Sequence, residues 1–310
     1  MVDAHAKSWR DFLAPRHWPT WIGLGLLGLW SLLPMPLIAP VGWALGLLLY
    51  AVHAGRRHVV QTNIARCFPD LSRVEQARLV RAHYQAFGQT VMTSGITLWA
   101  SKRRLRRLVH VRGIEHYEAP RRAGKNIILL APHFLGLDLG GIRLSSERPM
   151  LSVYRHPDNE LLAYIVERAR SRHGAYLVEH NRPFLTLVRQ IRQGLPLYYL
   201  PDQDAGRRRA VFAPFFGIPA STFAAVPRLA ELADATVLLC FTRLLPWGRG
   251  AEVIFRPPLA NYPSGDAVAD ATAMNREIEE CVKLAPEQYF WLHKRFKTRP
   301  EGEADFYRRV

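Results

Sequence analysis

The chain has 310 residues, 49% of them apolar, enough for one large domain with a substantial core. Lys and Arg number 42 against 26 Asp and Glu, a formal charge of +16 that favours polyanionic partners: nucleic acid, anionic lipid headgroups or an acidic carrier protein. No zinc-finger spacing, RNA-binding motif or glycine-rich phosphate loop occurs, so nucleic acid is set aside, and the three widely spaced cysteines Cys67, Cys240 and Cys281 read as core residues of a reduced compartment.

Residues 18–52 carry the strongest local signal. Trp18 to Leu33 is apolar, Pro34-Met-Pro36 interrupts it, and Leu37 to Val52 resumes. Neither half reaches the ~20 residues of a spanning helix, and basic residues flank both ends. A proline-broken hairpin dipping into one leaflet fits as well as a single span. Trp18, Trp21, Trp30 and Trp43 suit a membrane interface. The segment is too long for a signal peptide and lacks a cleavage site. We therefore divide the chain into an anchor, 1–55, and one further domain, 56–310.

From Arg56 to about Ala100 the pattern is helical, and Ser72 with Glu75 predicts a capping box. Lys102-Arg-Arg-Leu-Arg-Arg107 holds five basic residues in six. Beyond Val109, short apolar runs alternate with amphipathic helices, the signature of βαβ units and a largely parallel sheet flanked by helices. Strands are expected at 126–131, 150–154, 175–178, 196–200, 236–241 and 251–255. Helices are expected at 138–147, 159–173, 183–193, 223–234 and 270–284.

Asn126 to Ala131 reads as a strand buried on both faces, ended by Pro132 and followed at once by His133. His133 is thereby placed at the carboxyl end of a central strand, where open α/β sheets hold ligands. Asp138 follows where a helix can open, within reach of the imidazole if the turn is tight. A carboxylate-held histidine is the minimal general base: the carboxylate sets the tautomer and stabilises the imidazolium. Arg155 ends the strand at Val153-Tyr-Arg and is expected at the same edge. Pro201-Asp-Gln-Asp-Ala-Gly206 follows another strand and suggests a polar loop bearing Asp202, Gln203 and Asp204, with Arg207 beyond. Two aspartates invite a metal reading, which neighbouring arginines and a metal-free base disfavour; no metal or cofactor is expected. Phe212, Phe215 and Phe216 are candidates for the wall of an apolar groove, or for plain core. His173, His180 and His293 read as solvent or packing histidines. Trp291-Leu-His-Lys-Arg-Phe-Lys297 reads as an amphipathic end resting on a membrane surface.

His-x4-Asp after a buried strand resembles the signature of the glycerolipid acyltransferase superfamily. The stretches Val153-Tyr-Arg-His-Pro-Asp-Asn159, Tyr199-Leu-Pro-Asp-Gln-Asp-Ala-Gly206 and Pro286-Glu-Gln-Tyr-Phe-Trp-Leu-His-Lys-Arg-Phe-Lys297 resemble one branch of it, the late acyltransferases of lipid A biosynthesis. The resemblance covers nearly the whole chain. It implies acyl transfer from acyl carrier protein to a hydroxyl of a lipid A precursor at the cytoplasmic face of a bacterial inner membrane, with an anionic membrane surface as a further partner. An alternative acceptor is a lysophospholipid, an aminolipid or another glycolipid. It further implies that His133 is the base and Asp138 its orienting partner, that Arg155 contacts phosphate, and that the 201–206 loop shapes the acceptor site. The chain departs from its relatives at Ser94, where they carry a glutamate nearby.

Overall fold

The computed structural model describes residues 8–154, 156–179, 183–208 and 210–308. Two helices, α1 (Trp18–Ser31) and α2 (Met35–Val52), meet at the break that Pro34 imposes. They are followed by α3 (Ala54–Cys67) and the long α4 (Arg73–Trp99). Ser72 accepts from the Glu75 amide and the Glu75 carboxylate returns to the Ser72 amide, so the expected capping box opens α4. The basic run forms α5 (Lys102–Leu108), capped by Ser101.

The α/β part alternates β1 (Val109–Arg112), α6 (Glu115–Arg122), β2 (Asn126–Leu130), α7 (Leu137–Ser145), β3 (Met150–Tyr154), α8 (Glu160–Arg172), β4 (Ala175–Glu179), α9 (Phe184–Arg192) and β5 (Leu197–Tyr199). A hairpin of β6 (Ala210–Phe215) and β7 (Ile218–Phe223) precedes α10 (Ala225–Ala233), β8 (Ala235–Leu244), β9 (Ala251–Pro258) and α11 (Ala267–Leu284). Seven strands form one sheet in the order β1-β9-β8-β2-β5-β3-β4. Within that sheet, among the described residues, only the β8–β9 pairing is antiparallel. The expected strands and helices are all present, and the sheet is largely parallel as expected. Strand β1 and the hairpin were not anticipated. Val109–Arg112 is too short to show a period, and a Phe216-Gly217 turn lacks the usual Asn-Gly signal. Both hairpin residues nonetheless adopt positive φ, 50° and 72°.

β2 sits in the middle, its apolar residues wholly buried between β8 and β5, as a strand covered on both faces requires. Helices α1 and α2 lie along α4 rather than on each other's faces. Gly42 and Gly46 of α2 meet Gly88 of α4 so closely that a Cβ at Gly88 would stand 2.1 Å from the Gly42 carbonyl oxygen. The opposite faces of α1 and α2 stay apolar and uncovered: Ile22, Leu26, Leu29, Leu37, Leu48 and Val52 are all more than half exposed. Helix α2 is long and apolar enough to cross a membrane, with mean hydropathy 1.8, and is mostly not buried in the protein.

Candidate active site

Pro132 stops β2, and His133 stands just past its carboxyl end; Pro201 does the same to β5 for Asp202. The two strands are parallel neighbours with Leu130 opposite Tyr199. Carrying that register three residues further brings His133 opposite Asp202, although 69 residues separate them in the chain. The His133 Nδ1–H donates to Asp202 Oδ1 at 2.6 Å, and the His133 backbone amide donates to Asp202 Oδ2 at 2.8 Å. Both carboxylate oxygens are thus committed to one residue, and Asp202 is only 2% exposed.

Burial by itself would lower the proton affinity of His133. The charge and hydrogen bond of Asp202 outweigh it, Asp138 adds to them, and the pKa ends above the ordinary histidine value. For Asp202, burial pulls the pKa up, but His133 and then the Arg295 guanidinium hold it below the usual carboxylate range. The pair keeps Nδ1 protonated and leaves Nε2 as the ring's acceptor. Such a ring takes a proton at Nε2 while the imidazolium formed is stabilised from behind.

Asp138 does not hold the ring. Gly136 caps α7 and, with Gly140, presses its first turn onto Thr242 of β8; a Cβ on Gly140 would stand 1.9 Å from Thr242 Oγ1. This docking turns Asp138 onto Arg170 of α8, at 2.7 Å, with the carboxylate largely in solvent. The imidazole is thus held by Asp202, which had been expected to touch substrate, and not by Asp138, which had been expected to orient it. Asp138 and Arg170 instead border an apolar slot of about 70 Å³ lined by Leu137, Ile142, Met150 and Tyr198.

The other expected residues divide. Arg155 lies outside the described residues. Gln203 is half-buried beside Asp202, and Arg207 is exposed at the far end of the loop. Asp204 faces away from His133, accepting from the Thr298 amide and hydroxyl at 2.9 Å each. Phe215 is wholly buried against Tyr289 and Phe296, so it is core and not an open groove wall. Phe216, at the hairpin turn, packs on Phe68 and Trp291. Ser94 donates to the Val91 carbonyl within α4.

The carboxyl-terminal stretch contradicts its expected surface role. Trp291 is 1% exposed, Arg295 2% and Phe296 0%. The pattern is amphipathic, but its apolar side and Arg295 are folded into the molecule. The stretch straps the site: the Phe290 amide donates to the His133 carbonyl at 2.8 Å, and the Asp204 amide donates to His293 Nε2 at 3.0 Å. Arg295 donates to the Ser221 carbonyl and to Thr222, fixing β7 beneath the 201–206 loop. Spacing gave no sign of His293; only the aromatic-basic composition of the stretch marked it. Phe87, Tyr84, Phe290, Leu292, His293, His53 and Arg56 line an open cavity of about 500 Å³ against this strap.

A half-buried histidine held by a buried carboxylate at the carboxyl edge of an open α/β sheet is the layout of a general-base enzyme. The comparisons narrow the class. The sequence model of the bacterial lipid A biosynthesis acyltransferases matches residues 5–298. The chain is 34% identical over 296 residues to a lipid A biosynthesis lauroyltransferase of Escherichia coli strain K12, covering 95% of this chain and 96% of that protein. It is 31% identical over 303 residues to a palmitoleoyltransferase of lipid A biosynthesis from the same organism, covering 97% and 98%. A myristoyltransferase, also from that strain, is 28% identical over 301 residues, covering 97% and 93%. The chain belongs to the bacterial lipid A biosynthesis acyltransferase family.

Proposed function

We propose that the protein transfers a fatty acyl chain from acyl carrier protein to a hydroxyl of a lipid A precursor of the Kdo-lipid IVA type. The observation that carries this reading is the His133–Asp202 pair. His133 Nε2 takes the acceptor hydroxyl's proton as its oxygen attacks the thioester carbonyl, and Asp202 stabilises the imidazolium that results. The proton then goes to the departing thiolate. No acyl group rests on the enzyme: all three cysteines are buried, and burial pushes their thiols far from ionisation.

The surroundings support membrane work. The uncovered apolar faces of α1 and α2 fit lipid, in keeping with residues 1–55 as anchor. The exposed Lys102, Arg103 and Arg107 of α5 suit an anionic membrane or an acidic carrier, and we place the enzyme at the cytoplasmic face of a bacterial inner membrane. Asp138 with Arg170, and the loop bearing Gln203 and Arg207, face the acceptor.

The test is to incubate purified protein with lauroyl-acyl carrier protein and a tetra-acylated lipid A precursor, then weigh the product. One added acyl chain is expected, abolished by His133→Ala. Full activity in that variant, or a trapped acyl-enzyme, would end the reading.

A further inference from the structure

His293 has a fixed tautomer. Its Nε2 lies 3.0 Å from the Asp204 backbone nitrogen, which can only donate, so Nε2 must be the acceptor and the ring's proton sits on Nδ1. Asp204 is itself anchored on Thr298, so the amide that sets the tautomer does not wander. Among the described residues no protein group pairs with His293 Nδ1. The imidazole lines the cavity of about 500 Å³, one residue beyond Leu292 and three beyond Phe290, whose amide holds the His133 carbonyl. Asp204, whose amide meets His293, stands two residues past Asp202, the carboxylate that holds His133.

We propose that His293 is a catalytic residue, its Nδ1–H donating to the carbonyl oxygen of the acyl thioester as negative charge develops there. The inference rests on His133 as the base. The acceptor oxygen forms its bond to the carbonyl carbon, the carbonyl π pair moves onto oxygen, and His133 receives the hydroxyl proton. Collapse restores the carbonyl, breaks the C–S bond and returns that proton to the thiolate. His293 keeps its own proton throughout; it only donates a hydrogen bond. A neutral imidazole suits this task because a fixed donor needs no reorganisation when charge appears. Burial first, with His133 and Arg295 adding to it, brings its proton affinity down to about pH 4, so the ring stays neutral at working pH. The two histidines thus differ in role because their Nδ1 and Nε2 partners are reversed. His133 gives Nδ1–H to a carboxylate and offers Nε2 as a base, whereas His293 gives Nε2 to an amide and offers Nδ1–H as a donor.

Two isosteres separate this role from simple support of the Asp204 loop. His293→Gln places its amide where Nε2 stood and keeps an acceptor for Asp204, but removes the Nδ1 donor. His293→Asn places an amide donor at the Nδ1 position and abandons the loop. With lauroyl-acyl carrier protein and the tetra-acylated precursor as probes, His293→Gln should melt like the wild type and lose ~10²–10³-fold in kcat with KM little changed. His293→Asn should melt earlier yet retain more kcat. The reverse order, equal losses, full activity in His293→Gln, or a loss confined to KM would overturn the proposal. His133→Ala run in parallel keeps two readings apart. Its full activity would end the general-base reading, while a dead His133→Ala beside an active His293→Gln ends only this one.

Discussion

Asp202→Asn is the substitution that most directly tests the site. Asp202 accepts two hydrogen bonds, one from the His133 amide and one from Nδ1–H. A backbone amide can only donate, so the asparagine oxygen must stay with it and the NH2 group must face Nδ1. The ring then has to accept at Nδ1 and carry its proton on Nε2, the wrong tautomer for a base. The lost charge matters too. Two unit charges about 4 Å apart at an effective dielectric of ~20 interact by ~4 kcal/mol. At 1.36 kcal/mol per decade that is ~10³ in rate, and with the tautomer fault we expect a kcat loss of ~10³–10⁴. Asp202 raises the His133 pKa against burial, so its removal lowers that pKa. A base works deprotonated, so the acid limb of the residual kcat/KM profile should move to lower pH. The assay is transfer from acyl carrier protein followed against pH in the wild type, Asp202→Asn and Asp138→Asn. Asp138 meets Arg170 at the surface, so its variant should lose less and move the limb less. An equal or larger loss in Asp138→Asn, or an acid limb that stays put in Asp202→Asn, would refute the geometry argued here.

The close approach of α2 to α4 makes Gly88→Ala destabilising by roughly 1–3 kcal/mol despite alanine's better helix propensity. Gly25→Ala, in open space on α1, should be neutral or mildly stabilising in the same thermal melt; equal effects would deny that the approach is tight. Leu26→Glu, Leu29→Glu and Leu48→Glu together should shift the protein from the membrane fraction to the soluble one, since each removes about 1.5–3 kcal/mol of apolar transfer from a side chain more than half exposed. An unchanged membrane fraction would mean lipid does not cover that face. Neutralising Lys102, Arg103 and Arg107 should flatten the salt dependence of kcat/KM toward acyl carrier protein with kcat kept. An unchanged salt dependence would assign the run to solubility alone.

What was legible in the sequence was local. The apolar run 126–131, the proline stop and the histidine behind it announced a buried strand with His133 at its edge, because burial on both faces and a missing N–H leave marks within a few residues. Ser72 with Glu75, and the break at Pro34, could be read for the same reason: caps and prolines act over one turn. The partner of His133 could not. Asp138 was near in sequence and Asp202 was 69 residues away, and the choice between them depended on β5 lying beside β2 in the sheet order. Strand adjacency is settled by which faces pack and which crossovers close, none of which is written in a local period. Trp291, Arg295 and Phe296 make the same point. An amphipathic basic-aromatic stretch looks alike whether its apolar side meets a membrane or the protein's own interior. Only the tertiary structure, by offering a core of Phe215 and Tyr289 with the Ser221 carbonyl and the Thr222 hydroxyl waiting for the guanidinium, decided which.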